Sequence, residues 1–235
     1  MKAIFKRELN AYFNSMLGYI FLALFLVISA VLFFTYNILN GEMNMNMFFQ
    51  SILTFSLFVI PIITMRLFAE ERHQKTDQLL LTSPVSVTSI VLGKFFAAMG
   101  VISIALLITA IFPFVESFYG KLSIAEIISA YIGFLFFAGS IVSIGCFMSS
   151  LTDSQIIAAI TTYGVILVML FLGFMVGNTI TNDIAVKILD YLIPLNKFSD
   201  FAYGILNIEP IVYYLSVMAV LLFATVSKIE SRRWR

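Results

Sequence analysis

The charged residues of this chain are spaced so that six stretches between them are apolar and long enough to cross about 30 Å of hydrocarbon, which takes ~20 residues. They lie between Glu8 and Glu42, Glu42 and Arg66, Lys94 and Glu116, Glu126 and Asp153, Asp153 and Asp183, and Glu209 and Lys228. The last is the shortest and tolerates the least tilt. The spacing predicts an all-α, polytopic membrane protein with a single transmembrane domain over 1–235 and spans near 16–37, 50–67, 90–115, 125–150, 155–177 and 210–228. The first span is too long for the ~7–15-residue core of a secretory signal and no small-x-small cleavage site follows it, so it is expected to stay in the mature chain.

Composition closes the alternatives. With 61% hydrophobic and 11% charged residues and a mean hydropathy of +1.02, a soluble fold of this length could not hide its apolar surface. A net charge of +1 gives no basic surplus for nucleic acid, so no nucleic-acid partner is expected. The one cysteine, Cys146, excludes an internal disulfide and a thiolate metal cage. Six spans put both termini on one side of the membrane. That side carries Lys2, Lys6, Arg7, Arg66, Arg72, Lys75, Lys94, Lys228, Arg232, Arg233 and Arg235, against Lys121, Lys187 and Lys197 opposite, eleven cations to three. The positive-inside rule makes the termini cytoplasmic, and the expected location is the cell membrane, with multiple passes.

Ahead of the first span, Ile4, Phe5, Leu9, Tyr12, Phe13 and Met16 recur at helical spacing while Lys2, Lys6, Arg7, Asn10 and Asn14 take the other face. The pattern reads as an interfacial helix over 1–15, with Gly18 as the elbow into the bilayer, or as a plain basic start to the first span. Residues 66–86, which include the cytoplasmic region 69–85, form the most charged stretch; helix formers from Leu67 to Lys75, Thr76 and Asp77 as caps before Gln78–Leu81, and Pro84 as a stop predict two short helices with a break. Leu79, Leu80 and Leu81 beside these charges suit either a docking surface for a soluble partner or a loop folded back on the membrane. On the opposite side, 178–209 carries Ile184, Ile188, Tyr191 and Leu192 at helical spacing, then Pro194, Phe198, Phe201, Tyr203 and Gly204. It is too polar to span and too apolar to float, which predicts short external helices that dip into the leaflet or cap the bundle. Trp234 among the terminal arginines reads as an interfacial anchor.

No catalytic machinery is legible. His73, the only histidine, falls in the cytoplasmic loop, and neither a Gly-x-Ser-x-Gly nor a phosphate-binding Gly-Lys-Ser/Thr loop occurs. The chain is therefore expected to be no enzyme, with no catalytic, cofactor or metal site of its own. Lys94, Glu116 and Glu126 read as interfacial charges within reach of water or headgroups, leaving the spans without ionisable groups and arguing against ion-coupled transport. Ala138, Gly139, Ser140, Ser143, Gly145 and Ser149, with Gly173 and Gly177, permit close helix approach, within one subunit or between two. Met43, Met45 and Met47 alternate in an outer loop; thioethers bind Cu(I), but with no Cys or His beside them a flexible apolar contact is the preferred reading.

Three segments carry a family likeness: KRELNAYFNS at 6–15 before Gly18 and Tyr19, MRLFAEERHQKTDQLLLTSPVS at 65–86 followed by IVLGK at 90–94, and ESRRW at 230–234. In order, and over nearly the whole chain, these resemble type-2 ABC exporter permeases, most of all the gliding-motility and nitrous-oxide-reductase-maturation branch. The resemblance implies a type V architecture: an interfacial elbow helix, a cytoplasmic coupling helix between the second and third spans, and short external helices before the last. It implies that Glu70, Glu71, Arg72, Thr76, Leu79 and Leu80 meet a separate ABC ATP-binding subunit, which binds ATP and magnesium, and that two permeases, identical or not, join two ATPases in the membrane lipid. The expected function is export or extraction of a substrate driven by that ATPase. A membrane scaffold that recruits a soluble partner without transport is the alternative from the same loop.

Overall fold

The computed structural model describes residues 1–39, 45–76, 85–118, 123–178 and 193–233, omitting the side chains of 176–178 and 233. Its elements are helices throughout, with no strand among the described residues. Six of them are long and apolar enough to cross a membrane, the number the charge spacing predicts.

Helix α1 (Lys2–Asn14) turns its apolar stripe inward: Ile4 and Tyr12 are buried, and α1 packs along the third span. It stops at Ser15, whose extended backbone (φ −106°, ψ 157°) redirects the chain into α2 (Met16–Phe33). The bend expected at Gly18 thus falls three residues earlier. Gly18 serves the elbow differently, since a Cβ there would come within 2.5 Å of the Tyr12 carbonyl oxygen. α2 continues as a π-helical segment, Phe34–Leu39, so that the first span runs over 24 residues.

Helix α3 (Met45–Thr64) contains Pro61, which removes one intrahelical hydrogen bond near its end. After a one-residue turn at Met65 the helix resumes as α4 (Arg66–His73), and the two make one 29-residue rod. The eight residues of α4 add about 12 Å beyond the second span. It ends where Lys75 takes a left-handed φ of 56°, which brings the Thr76 amide onto the Glu71 carbonyl (2.9 Å). α5 (Val87–Thr109) is N-capped by Ser86, whose hydroxyl accepts from the Ser89 amide, and after a break at Ala110 it continues as α6 (Ile111–Glu116). The remaining elements are α7 (Ile124–Leu151), α8 (Gln155–Asn178), a 3-10 turn (Asn196–Phe198), α9 (Ser199–Ala202) and α10 (Ile208–Arg233).

α7 is the axis of the bundle, touching α3, α4, α5, α8, α9 and α10. Its small residues make this possible. A Cβ on Gly145 would lie 2.1 Å from the Thr64 hydroxyl oxygen of α3, and one on Gly133 would lie 2.5 Å from the Phe201 ring of α9. Ala138, Ser140, Ser143 and Ser149 are all buried as well, so the small-residue face is used within the chain. In their most apolar windows α7 and α3 with α4 are 67% buried, against 17% for α8, 28% for α10 and 33% for α2, which marks α2, α8 and α10 as the outer helices. Aromatic rings fill the far half of the interior: Phe33 stacks on Phe112 at 4.9 Å, Phe48 meets both edge-on, and Phe49 meets Tyr131.

The external segment begins, as far as it is described, at Ile193. Phe198 and Phe201 are buried against the bundle and the Tyr214 hydroxyl donates to the Pro194 carbonyl (2.7 Å), which fixes this cap to the last span. Tyr203 is exposed, and Gly204 adopts a φ of 78°. Ile184, Ile188, Tyr191 and Leu192 lie outside the described residues, as do Met43 and Trp234. Met45 is buried in the first turn of α3, whereas Met47 is exposed.

Candidate functional site

At the end of the bundle that carries the termini, α1, α4 and α5 meet around an ionic cluster. Lys94, on α5, is only 1% exposed; its Nζ lies 3.0 Å from Glu71 Oε1 and 3.4 Å from Glu8 Oε2, and 5.3 Å above the Phe68 ring. This corrects the expectation that Lys94 is an interfacial charge reached by water. The lysine is buried because two carboxylates and an aromatic face replace its hydration. Arg7 of α1 closes the ring from the solvent side, donating to Glu71 at 2.9 Å and pairing with Glu8. Burial alone would raise the Glu8 carboxyl, but the positive charges of Lys94 and Arg7 outweigh it and hold that group below its ordinary value.

A second layer ties the elbow to the rod. Arg66 pairs with Glu70 one turn on (2.8 Å), donates to the Ser15 hydroxyl at the elbow (2.6 Å), and sits 5.2 Å over the Tyr12 ring. The Tyr12 hydroxyl in turn donates to the Ile63 carbonyl at 3.0 Å, next to the Pro61 irregularity. These groups line an open pocket of about 250 Å³, with Arg7, Glu8, Arg66, Glu70, Glu71 and Lys94 setting three cations against three carboxylates.

On its other side α4 is fastened to α7 and to the turn into α8. The Ser149 hydroxyl accepts from the Phe68 and Ala69 amides and donates to the Met65 carbonyl, each at 3.1 Å, and so satisfies backbone groups exposed by the break at Met65. Arg72 donates to the Ser150 and Thr152 carbonyls (2.8 and 2.9 Å) and pairs with Asp153.

Of the residues singled out in the loop, Glu70, Glu71 and Arg72 thus point into contacts of the chain itself, and the Thr76 hydroxyl donates to the Glu71 carbonyl (3.2 Å). Leu79 and Leu80 lie outside the described residues. The exposed edge of α4 and its end is instead His73, Gln74 and Lys75. Sequence reasoning missed Arg7, Glu8, Lys94, Ser149 and Asp153 as members of one assembly. The signal available was Lys94 itself, a lone cation inside an apolar run, and Glu8, the one acid in a basic N-terminal helix.

Among the described residues no three His, Cys, Asp or Glu side chains gather to hold a metal ion, and Cys146 is buried in α7. The cluster joins α4 by directional bonds to α1, to α5 and to the turn between α7 and α8. The family model described as ABC-2 family transporter protein matches residues 35–228, from the π-helical end of α2 into α10. No curated protein matches the sequence.

Proposed function

Because the chain belongs to the ABC-2 family of transporter proteins, we propose that it is the membrane-spanning permease of an exporter whose ATP is bound and hydrolysed, with magnesium, by a separate subunit docked at α4. The observation that carries the proposal is the rod Met45–His73: it extends past the second span and its last turns are bonded to three other elements. In this reading the ATPase meets the exposed edge of His73, Gln74 and Lys75 together with the following stretch that holds Leu79 and Leu80. Glu70, Glu71, Arg72 and Thr76 stand behind that edge and carry its displacement inward. ATP closes the ATPase pair, α4 moves with its docking groove, and the ionic cluster delivers the motion to the elbow helix and the third span while Arg72 delivers it to α7 and α8.

The same reading places two permeases beside two ATPases and puts the termini in the cytosol, supported by the eleven-to-three distribution of cations. A charge reversal tests the coupling. In the complex purified with its ATPase, Glu71→Lys is expected to leave the subunits associated but to lower vanadate-sensitive ATP hydrolysis about tenfold, because Arg7 and Lys94 then face a third cation. Unchanged hydrolysis would remove α4 from the mechanism, and failure to isolate any ATP-binding subunit would favour a scaffold without transport.

A further inference from the structure

At the opposite end of the bundle from the ionic cluster, α5 and α6 diverge from the first turns of α7 and leave a groove of about 470 Å³, within the ~300–1,000 Å³ of ligand sites. Its walls are apolar, with Leu106, Leu107, Ala110 and Pro113 on one side and Ile128 and Leu135 on the other. The two polar side chains that reach it are already engaged: the Ser103 hydroxyl donates to the Met99 carbonyl and the Tyr131 hydroxyl pairs with that of Thr109. Leu107 and Ile128 are exposed, so the groove opens sideways, toward where lipid chains would lie.

One turn beyond Pro113, past the end of the groove's lining, stands Glu116, buried like Pro113. It is 3% exposed and neither carboxylate oxygen has a hydrogen-bond partner among the described residues, which corrects the expectation of a water-reached interfacial charge. A buried carboxylate without a counter-charge among the described residues is costly, so this position favours a cation. α5 and α6 run away from the end that carries the termini and make up the third candidate span, which ends at Glu116, the end nearest to where headgroups of the far leaflet would lie.

We propose that this groove takes an acyl chain of a phospholipid in that leaflet and that Glu116 holds the lipid's primary ammonium headgroup. The groove supplies apolar contact along the chain, and a rotamer change in the last turn of α6 turns the carboxylate to the headgroup. An anionic headgroup at the same place would meet Glu116 with like charge.

The test uses the full chain in nanodiscs of equal phosphatidylethanolamine and phosphatidylglycerol with identical acyl chains, and native mass spectrometry to count retained lipids. The wild type is expected to retain the amine lipid about fivefold over the glycerol lipid, Glu116→Gln to bring the ratio near one, and Ala110→Trp, which fills the groove from an exposed position, to lower retention of both. A thermal melt of each variant separates lost lipid from lost fold. Equal retention in the wild type, as when Glu116 simply holds a proton or pairs with Lys121, which lies outside the described residues, overturns the proposal. So does a preference that survives Glu116→Gln, or retention indifferent to Ala110→Trp.

Discussion

Lys94 shows what one residue can and cannot reveal from sequence. A lone cation in an apolar run is visible at once, but its meaning depends on Glu8, 86 positions earlier, and Glu71, 23 positions earlier, and no local pattern reports that pairing. The pairing makes a sharp prediction. Lys94→Met leaves two adjacent carboxylates without their buried cation and should destabilise the detergent-solubilised protein by about 3 kcal/mol. The triple variant Lys94→Met, Glu8→Gln, Glu71→Gln removes the stranded charges and should recover most of the loss; a triple variant no more stable than the single one would deny that charge is the cause. Within the same cluster Glu8 sets an acid limit, whereas burial holds the Glu71 carboxyl above its ordinary value and gives it the opposite sign. The folded Glu8 carboxyl sits below its ordinary 4.5, so its contribution is complete above that pH and is lost as pH falls through the lower folded value. Melting temperatures of Glu8→Gln should accordingly depend less on pH below about 4.5 than those of the wild type.

At the scale of elements, the long helices were legible because length and hydropathy alone define them, while their joints were not. The spacing predicts the second span to end near 67 and a separate short helix from Leu67 to Lys75; the helix to His73 is present but joined to the span as one rod, because Ser149 satisfies the backbone at the Met65 break and Arg72 and Glu71 hold the extension down. The small residues of α7 announce close packing but are equally suited to contact within a subunit or between two; only the positions of Thr64, Phe201 and Met218 opposite Gly145, Gly133 and Gly139 assign them to the chain's own core. Two substitutions separate these roles. Ser149→Ala should cost about 1–3 kcal/mol by orphaning two amides and a carbonyl, and it should also weaken ATPase coupling, because the α4 to α7 joint loosens. Gly145→Ala should lower the melting temperature at least as much, by forcing α3 and α7 apart. A Gly145→Ala protein as stable as the wild type would mean that the two helices do not approach this closely.

For the whole molecule two counts in the sequence are decisive: six apolar stretches, and eleven cations on one side against three on the other. The count of spans matches the six long apolar helices among the described residues. The sidedness follows only if the basic residues also occupy one end of the bundle, and the described ones do, since Arg7, Arg66, Arg72 and Lys94 meet at the end where α1 and α4 lie while Lys197 pairs with Glu209 at the other. Energy from a cytosolic ATPase can reach α4 only if that first end faces the cytosol. Cys146 is buried, so single cysteines can be read against it in a Cys146→Ala background. In intact cells a membrane-impermeant maleimide should label cysteines replacing the exposed Phe118 and Tyr203, and should label one replacing the exposed Gln74 only after the membrane is broken. The opposite result would put α4 outside the cell, where no ATP-binding subunit could drive it, and the Glu71→Lys effect would then need a cause within the bundle.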